Sequence, residues 1–238
     1  MDEATIKRLN EINQEFYRVT AENFDATRQS AWAGWEPLLP HLPTDAPLRV
    51  LDVGCGNGRF GVFLAQHLES TVTYSGCDSN PVLLARAEAA LAATDVTASL
   101  EQRDVVEQPP DSGSFGLVAL FGVLHHVPGY LQRQQFMQAL AARVAPGGFL
   151  AFAAWRFYDF ERFRARIVPW PDDVEVERHD YLLDWRQGAT ALRYCHYVDD
   201  AEHVALIDAT GLATVLDYRA DGRTGTLNRY TLLKRETL

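Results

Sequence analysis

Apolar positions along this 238-residue chain alternate between two rhythms. Short apolar runs at Arg49 to Val53, Val72 to Cys77, Val96 to Gln102, Phe115 to Phe121 and Phe149 to Ala154 have the length and side-chain character of strands. The run Phe115 to Phe121 carries no polar side chain, as a strand covered on both faces requires. Helix-compatible stretches separate these runs. Arg59 to His67 is one, and a second runs from Pro81 to about Ala93, opened by the cap sequence Ser79-Asn80-Pro81. A third, Tyr130 to Val144, sets Phe136, Leu140 and Val144 on one stripe before Pro146-Gly147-Gly148. Further on, Asp199-Asp200-Ala201-Glu202 reads as a capping box and Gly211 as the C′ residue of the helix it starts. Ala213 to Tyr218 and Asn228 to Lys234 make a last strand pair. Strand–helix alternation of this kind predicts an α/β, doubly wound, mostly parallel sheet.

Two stretches depart from the alternation. Before the first strand, Ile6, Leu9, Ile12, Phe16 and Val19 fall at helical spacing, and Trp32, Trp35 and Leu39 predict a second helix stopped by Pro40 and Pro43. Residues 155–198 stand between the fifth strand and the last helix. There Phe160, Phe163 and Ile167 make one helical face, with Arg162, Arg164 and Arg166 off it. Arg156 to Arg166 holds four Arg against Asp159 and Glu161, a local charge of +2. Trp170, Tyr181, Trp185 and Arg193-Tyr194-Cys195-His196-Tyr197 complete the insertion. Aromatics interleaved with Arg either clamp a base or anion, or form a small lid core with a solvated rim. The resulting division is a single domain: 1–45 a helical flap, 46–154 the core, 155–198 a lid, 199–238 the closing helix and strand pair.

Composition narrows the classes. Hydrophobic content of 47% and charged content of 23% are those of a globular protein. No run of 18 apolar residues is present, and the start Met1-Asp2-Glu3-Ala4 has no signal-peptide core, so no membrane association is expected. Three cysteines without a C-x-x-C pair argue against disulfides and against a metal site, and for the cytoplasm. The net charge of −10 argues against a dedicated nucleic-acid coat. The sequence assigns no oligomeric state.

The chemistry gathers at Asp52-Val53-Gly54-Cys55-Gly56-Asn57-Gly58, between a strand and a helix. Alternate glycines let the backbone turn sharply and leave room for a ligand against main-chain N–H groups. Asp78 ends the second strand, 26 positions after Asp52 (78 − 52), where a carboxylate is placed to accept both hydroxyls of a ribose. Asp104 follows the third strand. Each Asp alone reads equally as a turn cap. Three at strand ends on one sheet edge mark the ligand edge of an open α/β sheet.

The D-x-G-x-G-x-G stretch, Asp78, Asp104, the apolar-His125-His126 stretch and the P-G-G turn together resemble the class I S-adenosylmethionine (SAM) methyltransferases. That resemblance implies a seven-stranded Rossmann-like sheet with a reversed C-terminal hairpin. It also implies SAM as cofactor and S-adenosylhomocysteine as product. It places Asp52, Gly54, Cys55, Gly56, Asn57, Asp78, Ser79, Asp104, Val105, Phe121 and Gly122 around the cofactor, with Asp104 towards the adenine amino group. His125 reads as a bracing residue. His126 reads as the residue bordering methyl transfer, as base or hydrogen-bond donor. For the flap two readings stand: its helices cap a sheet edge with Arg28 solvated, or it closes over the cofactor, with Trp32 beside it and Arg28 holding the methionine carboxylate in a fork.

Phe24-x-x-Thr27-Arg28, Trp32, the His125-His126 loop and Arg193-Tyr194-Cys195-His196-Tyr197 are also similar to the tRNA wobble-uridine carboxymethyl methyltransferases. Acidity, few lysines and the lack of a basic tail depart from an RNA-binding pattern. The acceptor partner is therefore a small molecule or tRNA, with a carboxylate favoured and Arg156, Arg193, His196 and Tyr197 as its candidate contacts. Two rivals carry other classes: a SAM-binding partner protein without methyl transfer, and a nicotinamide-dependent Rossmann oxidoreductase, which would prefer G-x-G-x-x-G.

Overall fold

The computed structural model describes residues 1–26, 30–44, 46–187 and 189–237. Among them, strands β1 (Leu48–Val53), β2 (Val72–Asp78), β3 (Thr97–Gln102), β4 (Phe115–Phe121), β5 (Val144–Trp155), β9 (Ala213–Ala220) and β10 (Asn228–Lys234) form one seven-stranded sheet in the order β3-β2-β1-β4-β5-β10-β9. β1 to β5 pair in parallel; β10 runs antiparallel to both β5 and β9. This is the α/β class with its reversed edge hairpin. Successive residues of β1 face opposite sides. Val50 enters a core with Phe60 and Leu64 of α2 (Arg59–His67), Tyr74, and Ala87 and Leu91 of α3 (Pro81–Leu91). Leu51 and Val53 enter the other, with Phe136, Met137 and Leu140 of α4 (Tyr130–Ala141) and Leu206 of α6 (Asp200–Thr210). Apolar cover on both faces explains the continuous apolar run of β4.

Several expectations are corrected. Val144 begins β5 instead of ending α4, and Pro146-Gly147-Gly148 lies within β5. There the β4 pairing jumps from Phe115↔Val144 to Leu117↔Phe149, so the extra residues form a bulge and not a turn between elements. The stretch Ala33–His41 is a 3-10 helix and not an α-helix. Pro37 and Pro40 inside it donate no backbone N–H, which an α ladder would need. Of the capping box at α6, one half forms: Asp199 accepts from the Glu202 amide, while the Glu202 carboxylate is turned to Arg133 and His196.

The N-terminal helix α1 spans Glu3–Ala26. Its buried face holds Leu9 and Phe16 as expected, but Val19 is 39% exposed and Asn10, Asn13 and Thr20 are buried instead. The face is part polar because the helix covers a cavity.

Over Phe160 to Ile167 the insertion is helical only in part. A four-residue helix α5 (Glu161–Arg164) gives way to β6 (Ile167–Val168), which pairs with β7 (Asp180–Gln187), and β7 pairs with β8 (Ala189–His196). This three-stranded antiparallel sheet packs β8 against α1.

Candidate functional site

The C-terminal ends of β1 to β4 open into a cavity of about 590 Å³, within the range of small-molecule sites. α1 crosses its mouth, and the insertion sheet closes its far side. The glycine turn after β1 forms one wall. Gly54 and Gly56 take left-handed φ of 73° and 55°. A Cβ on Gly54 would strike Val123 at 2.2 Å, whereas one on Gly56 would meet nothing within 4 Å. The Gly56 backbone is thus bared towards the cavity.

Three carboxylates sit along this wall. Asp52 is buried and accepts from the Tyr74 hydroxyl at 2.5 Å; burial pushes its carboxyl up to about 7. Asp78 accepts from the Gly56 amide through Oδ2 and the Asn80 amide through Oδ1, both at 2.9 Å, and burial raises its pKa. Each of its oxygens keeps acceptor capacity. Asp104 differs. Its Oδ2 takes Asn10 Nδ2 at 2.9 Å and Gln14 Nε2 at 2.6 Å, and its Oδ1 takes the amides of Val106 and Glu107. With four donors it is saturated and anchors α1.

One turn on from Gln14, the Tyr17 hydroxyl lies 2.9 Å from His126 Nε2, and His126 Nδ1 lies 3.1 Å from the Tyr194 carbonyl. A carbonyl only accepts, so Nδ1 carries the proton; in the neutral ring Nε2 then accepts from Tyr17. α1 is therefore held at two points on adjacent turns of its middle, at Asp104 and at His126. His125 packs tilted between the rings of His126 and Trp155, their centres 4.1 and 5.1 Å away, and also lines the cavity.

The insertion contributes a cation. Arg193 of β8 is 7% exposed and lines the cavity, its guanidinium 5.1 Å from the Phe16 ring centre and 4.8 Å from that of Trp155. Its Nε has no hydrogen-bond partner, and among the described residues no carboxylate pairs with it. Cation–π contact offsets only part of the cost of burying such a charge.

Trp32, Asp52, Gly54, Cys55, Gly56, Asn57, Asp78, Ser79, Asp104, Val105, Phe121, Gly122, His126 and Arg193 all line this one cavity. Arg28 and Thr27 lie outside the described residues, as does the Phe24 side chain. Arg156, His196 and Tyr197, expected as acceptor contacts, do not line the cavity. Arg156 reaches the Val198 carbonyl, Asp159 and Asp200 and lies over the Tyr197 ring, whose hydroxyl is given to Asp159. His196 is wedged between Asp180 at 2.7 Å and Glu202 at 2.6 Å. Alternation along β8 explains the split: Arg193 faces one side of the sheet and His196, an odd number of residues away, the other.

Sequence reading missed Asn13, Tyr17, Arg59 and Trp155. A signal for the first two was present: Asn10, Asn13, Gln14 and Tyr17 recur at i, i+3, i+4 and i+7, a polar stripe beside the apolar one. Arg59 opens α2, reaches Asn57 Oδ1 and the Ser30 carbonyl, and lies over the rings of Trp32 and Trp35.

All three cysteines are buried, and burial pushes Cys77 up to about 12, Cys195 up to about 11 and Cys55 further. Two groups bring metal-ligand atoms within 4.8 Å, His125–His126–Cys195 and Glu177–Asp180–His196, but His126 and His196 already spend both ring nitrogens on hydrogen bonds.

Comparison with known proteins places this geometry. Residues 50–148 match the family model described as a methyltransferase domain. The chain is 28% identical over 158 residues to the tRNA (carboxymethyluridine(34)-5-O)-methyltransferase of Arabidopsis thaliana, covering 64% of this chain and 35% of that protein. It is 31% identical over 202 residues to the trans-aconitate 2-methyltransferase of Streptomyces coelicolor, covering 75% of this chain and 64% of that one. The chain thus spans about a third of the first relative and just under two thirds of the second. A SAM-dependent methyltransferase of Methanosarcina mazei has the same fold, with a TM-score of 0.68 at 18% identity over 85% of this chain and 98% of that one.

Proposed function

We propose that this chain, whose residues 50–148 are a methyltransferase domain, transfers the methyl group of SAM to a carboxylate oxygen of a small acid or of a modified tRNA uridine. The cavity suits the cofactor on its own evidence: a bared Gly56 backbone for close approach, and Asp78 with free acceptor capacity at the end of β2 for the ribose hydroxyls. Arg59, with Trp32 and Trp35 beside the glycine turn, supplies a described cation for the methionine end; Arg28 keeps its proposed role as the carboxylate fork. Phe121, Gly122 and Val105 make the apolar walls. The dinucleotide oxidoreductase is set aside by the methyltransferase-domain match.

SAM supplies an activated methyl on a sulfonium. The protein's work is alignment and exclusion of water. A carboxylate acceptor has no proton to lose, so no base is required of His126. Its ring, fixed by Tyr17 and Tyr194, instead holds α1 shut over the reacting atoms. The observation that carries the acceptor assignment is Arg193: a buried guanidinium that faces the cavity and pairs with no carboxylate of the described chain. An anionic acceptor completes that pair, and the aromatic walls of Trp155 and Trp185 strengthen it by keeping water out.

The test uses SAM carrying a labelled methyl with matched acids and amides, and with unfractionated tRNA. A methyl ester is cleaved by mild alkali, releasing volatile labelled methanol. Label released in that way from acids, and absent from the amides, is the expected result. Alkali-stable label, or equal labelling of the amides, overturns the carboxylate assignment.

A further inference from the structure

Asn13 lines the same cavity from α1. It is 4% exposed, and neither its Oδ1 nor its Nδ2 has a hydrogen-bond partner. Its neighbours on the stripe are all committed: Asn10 and Gln14 to Asp104, Tyr17 to His126. A buried amide with both ends unmade is costly, and a helix surface position offers easy apolar replacements. At about 100° per residue, Asn13 points between Tyr17 and Phe16. Phe16 carries the Arg193 guanidinium on its ring. Asn13 therefore stands between Asn10, which binds Asp104 one turn before it, and Phe16, which carries Arg193 one turn after it.

We infer that Asn13 determines acceptor specificity by pairing with a donor–acceptor edge, an amide, lactam or imide, set beside the carboxylate that Arg193 holds. An amide offers one N–H donor set and one carbonyl acceptor, so its full complement is a group that presents both. A pyrimidine base that bears a carboxymethyl group has such an edge at N3–H and its neighbouring carbonyl. A plain polycarboxylate at neutral pH offers acceptors only. A site that hydrogen-bonds such an edge rejects analogues lacking it more strongly than an apolar pocket does. The inference rests on the carboxylate reading above.

The experiment compares 5-carboxymethyluridine, its N3-methyl derivative and trans-aconitate as acceptors for the full chain and for Asn13→Ala. It follows kcat/KM, S-adenosylhomocysteine affinity by calorimetry, and the melting temperature. The expected result is at least tenfold preference of the wild type for the unmethylated nucleoside, lost in Asn13→Ala. Cofactor affinity stays unchanged and the melting temperature stays equal or rises, because the variant removes an unpaired buried amide. A merely structural Asn13 would lower the melting temperature and leave the preference intact, which overturns the inference. Equal use of the N3-methyl nucleoside, preference for trans-aconitate, or a loss of cofactor affinity in the variant also overturns it. In each of those cases alkali-labile label on any of the acids leaves the carboxylate reading standing. No alkali-labile label on any of the three acids overturns both.

Discussion

The large sheet presents the cavity with carboxylates at strand ends, Asp52, Asp78 and Asp104, each already held by hydroxyl, backbone or helix donors. The small sheet of the insertion presents it with an arginine set between aromatic rings and, among the described residues, paired with no carboxylate. On the first side, hydrogen bonding within the protein fixes the groups before any ligand arrives. On the second, a charge is buried ahead of its partner. On the proposed function the difference separates a cofactor side from an acceptor side, and it yields a ranked set of perturbations.

The largest effect is expected on the small sheet. Charge-assisted hydrogen bonds contribute about 1.5–3 kcal/mol each, and a guanidinium gives a carboxylate two. Arg193→Ala should lower kcat/KM for the acid acceptor by roughly a hundredfold or more, while cofactor affinity holds. If steady-state kinetics with matched acids show no change, the division between the two sheets is wrong. Arg193→Lys should recover only part of the loss, because an ammonium cannot make the planar fork.

Next comes Asp78 on the large sheet. Asp78→Ala removes the proposed ribose acceptor and the hydrogen bonds from the Gly56 and Asn80 amides. At about 1.5–3 kcal/mol per charged bond, SAM affinity should fall by roughly tenfold or more. Calorimetry with SAM and circular dichroism of the apo variant check this together. Weakened cofactor binding in a folded variant is expected; unchanged affinity removes Asp78 from the cofactor wall.

The two sheets also differ in how far the sequence disclosed them. Val50 to Gly58 announced a strand, a glycine turn and a helix, because local rules fix each step: apolar run, positive φ, helix start. Asp78 and Asp104 could be aligned on one edge because a parallel sheet puts every strand end on that edge. Asp104's saturation by Asn10 and Gln14 could not be read, since it depends on a helix some ninety residues upstream. In the insertion the local signals misled. Phe160, Phe163 and Ile167 have helical spacing, yet Ile167 pairs with Leu183 in a strand. Arg193 and His196 look alike in sequence as polar groups among aromatics. Strand alternation sends one to the cavity and the other to a buried ion network, and alternation was invisible until β7 and β8 were paired.

α1 bridges the two sides, and its clasp offers a smaller test. Tyr17→Phe deletes the hydroxyl that reaches His126 and leaves Asn10 and Gln14 on Asp104. A neutral hydrogen bond is worth about 0.5–1.5 kcal/mol, so a loss of roughly three- to tenfold in acceptor kcat/KM is expected. Hydrogen exchange over Glu3–Ala26 should rise in the turns after Tyr17 more than in those before Asn10. Uniform exchange along the helix would show that the clasp at His126 does not hold it.

The smallest effect concerns what fastens the small sheet to the large one. His196 at the end of β8 bridges Asp180 of β7 and Glu202 of α6; Arg133 of α4 binds Glu202 at 2.6 Å and Glu177 at 3.1 Å, and Tyr194 also donates to Asp180. Burial alone would lower the His196 pKa, and Arg133 opposes its charge as well. The hydrogen bonds to the two carboxylates outweigh both and hold it above the ordinary 6.5. The native chain therefore keeps a proton that the unfolded chain releases near 6.5, and the linked stability is fully present below that pH. It is lost as pH rises through the raised native value. Glu202 works on the acid side: burial raises its pKa, but His196 and Arg133 bring it below the ordinary 4.5. Its contribution is present above 4.5 and lost as pH falls through the native value. The melting temperature should thus be highest between the two limbs. His196→Gln keeps polar contacts but cannot be charged. It should flatten the alkaline limb and lower the plateau by about 2–4 °C for each kcal/mol lost in a chain of this size. Because His196 faces away from the cavity, acceptor kcat/KM at the plateau should stay within about twofold of wild type, as for a substitution that touches no ligand. An unchanged alkaline limb in His196→Gln would mean that the network does not carry the pH dependence. A large loss of acceptor turnover would mean that the two sheets are not separable as drawn.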